Sequence, residues 1–186
     1  MTLARLLVLT DRHQVPSGRT LADVLAAVAD GGATSVLLRE SDLPDDERAA
    51  LAAVAHGRGL SVIAAHRPVP GGAGVHVRAT DPTPAGGRWG RSCHDRVEVD
   101  QAAREGAAWV TLSPFAPTAS KPGHGPPLAA SAYAGLPVPT YALGGIGPAN
   151  AAAARAAGAH GVAVMGAVMR APDPAVVVAA LLEVVA

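Results

Sequence analysis

At 186 residues, 49% apolar and 16% charged, the chain is too hydrophobic and too weakly charged to stay disordered, and its length suits one domain over residues 1–186. Fifteen basic residues cancel fifteen acidic ones and aromatics are only 3%, which argues against a nucleic-acid backbone, stacked bases or an anionic membrane as partner. The single cysteine, Cys93, excludes an internal disulfide, and no apolar run reaches the roughly 18 residues of a membrane span, so a cytoplasmic location is expected.

In chain order, short β-rich runs alternate with Ala-rich segments. Arg5 to Leu9 predicts the first strand, and Thr20 to Ala29 a helix capped by Thr20 with Asp23 three residues on, a weaker form of the capping box. Ser35 to Leu38 predicts the second strand, Pro44 to His56 a helix, and Leu60 to Ala64 the third strand. The next link, His66 to Gly72, is too short and Pro/Gly-rich for a helix; Gly74 to Val77 is the fourth strand, and Asp81 to Gly87 is again a turn segment. Gly90 to Cys93, Trp109 to Leu112, Thr140 to Leu143 and Gly161 to Met165 complete eight strands. Helices are expected over Asp95 to Glu105, from Pro148 to Ala157, and from Asp173-Pro174 onward, where Asp caps and Pro opens the first turn.

Eight nearly continuous apolar strands with mostly helical crossovers predict a (β/α)8 barrel, shortened after strands three and four. An open doubly wound sheet would need a glycine fingerprint after strand one, where Thr10-Asp11-Arg12-His13 stands instead. In such a barrel the chemistry belongs to loops leaving the C-terminal strand ends. Gly144-Gly145 offers backbone amides, and Gly166-Ala167-Val168 opens a short helix nearby, so this pair of loops reads as a phosphate site; the same glycines also suit tight turns. Thr118, Ser120 and Lys121 cluster two hydroxyls and an ammonium, fitting a second phosphate or pyrophosphate, or an ordinary solvated loop. Asp81 is a candidate Mg²⁺ ligand, or the opening of an Asx-turn before Pro82. Arg39 is a candidate phosphate clamp or the partner of Glu40 in a local ion pair, and His66 and His94 are candidates for proton transfer or for structural roles.

Val8-Leu9-Thr10-Asp11-Arg12, Val36-Leu37-Leu38-Arg39-Glu40, Gly74-Val75-His76-Val77 with Asp81, Ser92-Cys93-His94, the Ser113 to Gly123 segment with its Pro-Thr-x-Ser-Lys-Pro-Gly loop, Gly144-Gly145-Ile146 and Gly161 to Gly166 together resemble the thiamine phosphate synthase and thiazole tautomerase family over nearly the whole chain. The resemblance implies a barrel enzyme of thiamine biosynthesis that couples an aminopyrimidine pyrophosphate to a thiazole phosphate, with Mg²⁺ and loss of pyrophosphate. It implies that Arg39, Thr118, Ser120 and Lys121 hold pyrophosphate, Asp81 holds Mg²⁺, Ser92 touches the pyrimidine side, and Gly144, Gly145 and Gly166 receive the thiazole phosphate. His94 is carried as a further catalytic candidate.

The chain departs from the family at identifiable places. The strand-two pattern Gln-x-Arg-x-Lys reads Leu37, Arg39 and Ser41, and the Asn-Asp-Arg after strand three reads Ala65-His66-Arg67, or Ala64-Ala65-His66 if shifted by one. Gly166 stands where the synthase often has Ser, and Pro114 where the tautomerases carry His. A tautomerase-like isomerase and a non-catalytic phosphate-binding barrel are therefore the alternative expectations, with His66, His94 or His124 available as spatial substitutes.

Overall fold

The computed structural model describes residues 2–117 and 126–186. Its strands are β1 Leu6–Leu9, β2 Ser35–Leu38, β3 Ser61–Ala65, β4 Gly74–Val77, β5 Trp89–Cys93, β6 Trp109–Leu112, β7 Thr140–Leu143 and β8 Gly161–Val164. All pair in parallel in chain order, and β8 returns to β1 with Leu6 opposite Val162 and Val8 opposite Val164, closing the expected (β/α)8 barrel. Alternation along each strand sends one set of side chains inward and the other toward the helices. Leu7, Leu37, Ile63, Trp109, Tyr141 and Ala163 fill the barrel, while Val8, Val36, Val62, Val110 and Val162 form the outer core. Both faces being covered accounts for the continuously apolar strands.

The outer layer is α1 Leu21–Asp30, α2 Asp45–Gly57, α3 Arg96–Arg104, α4 Pro148–Ala156, the short α5 Gly166–Met169 and α6 Pro174–Val185. Thr20 caps α1 through a complete capping box: its Oγ1 accepts from Asp23 N at 3.2 Å, and Asp23 Oδ2 accepts from Thr20 N at 2.8 Å. Asp173 caps α6 by accepting from the amides of Ala175 and Val176. Among the described residues no helix is long and apolar enough to cross a membrane.

Strand boundaries differ from expectation by one residue at five ends, the third strand also extending to Ala65. The third strand runs from Ser61, not Leu60, because the Leu60 amide closes the end of α2 on Ala55 O and the ladder starts with Ser61 N on Thr34 O. The first begins at Leu6 and the fifth at Trp89, whose carbonyl already accepts from Ala108 N. The eighth ends at Val164, since Met165 turns out of the sheet (φ −121°, ψ −79°) to precede α5.

Residues 66–73 and 78–88 join their strands without a helix, as the Pro/Gly content predicts. Two arginines support these bare connections. Arg48, wholly buried on α2, donates through Nη2 to Ala65 O at 3.0 Å and Arg67 O at 2.9 Å. Arg91 points outward from β5, lies over the Trp89 ring, and bonds Ala79 O at 3.0 Å, Thr83 Oγ1 at 3.2 Å and Glu105 at 3.2 Å. Beside β4 the missing helices leave an open groove of about 800 Å³ running from Arg88 to Asp81.

Glycines shape the barrel floor. A Cβ on Gly90 would lie 2.2 Å from the Trp109 indole, and one on Gly74 would lie 2.9 Å from it. The two bare positions on β4 and β5 are the space into which Trp109 folds.

Candidate active site

The C-terminal rim gathers most of the residues singled out from sequence. At the end of β2, the Arg39 amide donates to Thr10 Oγ1 at 2.9 Å and its guanidinium lies 3.8 Å from Asp11 Oδ2 and 2.7 Å from Met165 Sδ. The expected Arg39–Glu40 ion pair does not form. Successive residues of extended chain face opposite ways, so Arg39 faces the mouth while buried Glu40 meets Arg12 at 3.1 Å. Arg12 is also bonded by Asp42, which raises the arginine above its ordinary pKa and holds the Asp42 carboxyl well below the usual carboxylate range. Arg39 thus presents a cation to the mouth at this edge.

On the neighbouring strand, His66 is the first residue after β3 and adopts φ +61°. Its Nδ1 lies 2.9 Å from Asp81 Oδ2, which also accepts from Arg78 N at 2.9 Å. The Arg78 amide, with help from His66, holds the Asp81 carboxyl below its ordinary range. Asp81 therefore closes a turn backward onto Arg78, and its Oδ1 accepts no hydrogen bond from the described residues. Arg67 turns away, bonding Asp45, Ser41 O and Leu43 O.

Ser92 is half-buried on the inner face of β5, its Oγ 3.1 Å from His76 Nε2. His94, just beyond β5, places both its amide and Nδ1 on Glu98 Oε2 in the first turn of α3. Thr118, Ser120, Lys121 and His124 lie outside the described residues.

On the opposite rim, Gly144 (φ +94°) and Gly145 (φ +66°) follow β7, and a Cβ on Gly145 would stand 2.4 Å from Pro117 O. Only glycine accommodates both that backbone conformation and that approach. Neither amide donates to a described residue. Gly166 follows β8, and a Cβ there would lie 2.4 Å from Arg170 Nη1. Arg170 also donates to Gln14 Oε1, Gln14 Nε2 donates to Asp11 Oδ2 at 2.7 Å, and Asp11 faces Arg39. Arg170, Gln14, Asp11 and Arg39 thus form a polar chain along the rim, over the neighbouring ends of β8, β1 and β2.

The family model described as thiamine monophosphate synthase matches residues 72–168. A thiamine-phosphate synthase of Roseiflexus castenholzii is 34% identical, over 96% of this chain and 87% of the relative. The chain belongs to the thiamine monophosphate synthase family. A further thiamine-phosphate synthase, from Methanoculleus marisnigri, is 35% identical over 88% of this chain and 87% of its own. Thiamine phosphate pyrophosphorylase from Pyrococcus furiosus shares the fold at TM-score 0.82 and 23% identity, covering 97% of this chain and 95% of that one.

Against the thiamine monophosphate synthase patterns, each departure has a place. Leu37 lies in the barrel's apolar interior, and the Ser41 carbonyl accepts from Arg67 in a turn. Of the two possible alignments after strand three, it is His66 that meets Asp81, while Ala65 is packed inside the barrel. Among the described residues no group of three or more His, Cys, Asp and Glu could hold a metal. Asp81, whose Oδ1 accepts no hydrogen bond from the described residues, is the carboxylate that would hold a Mg²⁺ ion here.

Sequence reading passed over Arg170, Gln14 and the role of His76. Arg170 carried a usable signal. It stands four residues after Gly166 in a short helix, and helical side chains lean toward the N-terminus, which directs its guanidinium over Gly166. The contact of Gln14 with Arg170 spans 156 positions and left no local trace.

Proposed function

We propose that this protein is a thiamine-phosphate synthase, an enzyme of thiamine biosynthesis that joins an aminopyrimidine pyrophosphate to a thiazole phosphate and releases pyrophosphate. The observation that carries the reading is the pair of cations, Arg39 and Arg170, linked along the rim of one barrel mouth by Asp11 and Gln14. Two anionic substrates need two anion sites at one mouth, and family membership supplies their chemistry.

The thiazole phosphate rests on the Gly144 and Gly145 amides, beside Gly166, with Arg170 replacing the hydroxyl that the family often has at Gly166. Arg39 holds pyrophosphate in this reading, with Thr118, Ser120 and Lys121 as the family resemblance assigns them, and Ser92 contacts the pyrimidine. The bond between the pyrimidine methylene carbon and the pyrophosphate oxygen breaks with its electron pair leaving on oxygen; the thiazole nitrogen lone pair then forms the new C–N bond. Charge develops on the departing oxygen, so fixed donors there lower the barrier. A Mg²⁺ bound through Asp81 would neutralise part of that charge. Asp81 itself orients through Arg78 and His66. Phosphate binding and cytoplasmic residence belong to the same proposal.

A pyrophosphate-release assay with both substrates tests it. Product requiring both substrates and Mg²⁺ is expected. Ring isomerisation without pyrophosphate would replace this reading with the tautomerase one, and binding of thiazole phosphate without either reaction would leave a receptor.

A further inference from the structure

His76, on the inner face of β4, is buried under the mouth and joined to three side chains. Trp109 Nε1 lies 3.2 Å from its Nδ1, Ser92 Oγ lies 3.1 Å from its Nε2, and Thr111 Oγ1 lies 3.4 Å from the same nitrogen. An indole N–H only donates, so Nδ1 must offer its lone pair. The proton of the neutral ring then sits on Nε2. Nε2–H donates to Ser92 Oγ, with Thr111 as the more distant acceptor. Ser92 Oγ thereby spends a lone pair on His76, and its own O–H makes no other bond among the described residues.

The arrangement is built in from below. Gly74 and Gly90 clear the volume for the Trp109 ring, which lies nearly parallel to the imidazole, 14° between planes and 6.3 Å between centroids. A protonated ring would turn a second N–H against the indole donor, so the contact also selects the neutral form.

We propose that His76 is a positioning residue: anchored by Trp109, it fixes the Ser92 hydroxyl as a donor to the mouth, so that the group seated against Ser92 is a hydrogen-bond acceptor, either a pyrimidine ring nitrogen or a pyrophosphate oxygen. This rests on the synthase reading for the identity of the ligand and on the three side-chain contacts for the relay.

Two measurements test it without requiring turnover. Side-chain ¹⁵N NMR of the intact protein, with His76 assigned by its loss in His76→Phe or from the wild-type spectrum alone, should show the Nε2–H tautomer; an Nδ1–H tautomer overturns the proposal. Calorimetric or ligand-observed titrations then use 4-aminopyrimidine and inorganic pyrophosphate separately. Ser92→Ala and His76→Phe should each weaken the same probe by about 5- to 20-fold. The double variant should be no weaker than Ser92→Ala, and His76→Gln, which keeps an N–H near the Nε2 position, should recover most of the loss. Weakening of 4-aminopyrimidine assigns the acceptor to ring nitrogen, and of pyrophosphate to oxygen. Additive losses, or His76→Phe leaving both probes within twofold of wild type, reject the relay. A silent pyrophosphate-release assay with the tautomer and the non-additive pair intact would instead reject the synthase reading alone.

Discussion

His76 is held neutral because it is shut away from water: burial first, and the nearby His66 and Arg39 charges second, push its pKa from 6.5 down to about 3. The unfolded chain therefore takes up this proton as the pH falls below 6.5, while the folded chain resists until about 3. The stabilisation is complete above the unfolded value and is lost as the pH falls, by up to ~1.4 kcal/mol per unit. Urea unfolding at several pH values between 7 and 4 should show this slope in wild type and its reduction in His76→Phe; parallel profiles would count against it. A second residue-scale test concerns space. Gly90→Ala drives a methyl into the Trp109 ring, with an expected cost of about 1–3 kcal/mol or more, partly recovered when Trp109→Leu is added. Denaturant midpoints check both, and an undamaged Gly90→Ala would mean the indole has another place to go.

At the level of elements, the barrel replaces two crossover helices with side chains. Pro and Gly in residues 66–72 and 81–87 announced the missing helices, because neither run holds enough helix-forming residues for three turns. What took their place was not announced. Arg91 lies on Trp89 and satisfies Ala79 O and Thr83, contacts that no local pattern around it spells out. Arg91→Met keeps the apolar stem but abandons these acceptors, and should destabilise the protein by about 1–3 kcal/mol. Hydrogen exchange should quicken in residues 79–83 first, leaving α1 and α6 protected. Uniform loss of protection would show that the connection is not separately held.

For the whole molecule, the mouth works as a set of charges brought together by closure. Arg170 is exposed and belongs to no core cluster, so Arg170→Ala should fold normally while weakening phosphate-ligand binding about tenfold, measured by calorimetry. Unchanged affinity would leave the Gly144 and Gly145 amides as the whole phosphate site. The pyrophosphate side has lost the family's strand-two amide and lysine, and one lost stabiliser typically costs roughly 10² to 10³ in rate. Leu37→Gln with Ser41→Lys should therefore raise the rate of pyrophosphate release. The gain must exceed the penalty of placing a carboxamide among the apolar residues around Leu37. A variant that folds but is no faster would indicate that Arg170 and His66 have reorganised the mouth beyond simple restoration.

Strand count, barrel class and both bare crossovers were legible in the chain, because alternation, capping residues and Pro/Gly punctuation act over a few residues. Thr20 with Asp23, and Asp173 with Pro174, are examples in which sequence and structure agree through local hydrogen bonds. The partner of each charged group was not legible. Whether Arg39 meets Glu40 or Asp11 depends on which way one strand end faces, and the Arg170–Gln14 bond exists only because β8 closes against β1. Likewise, the tautomer of His76 follows from a tryptophan 33 positions away reaching it through the space beside two glycines. Short-range chemistry determined the elements; the direction of each side chain and the identity of its partner were decided when the barrel closed.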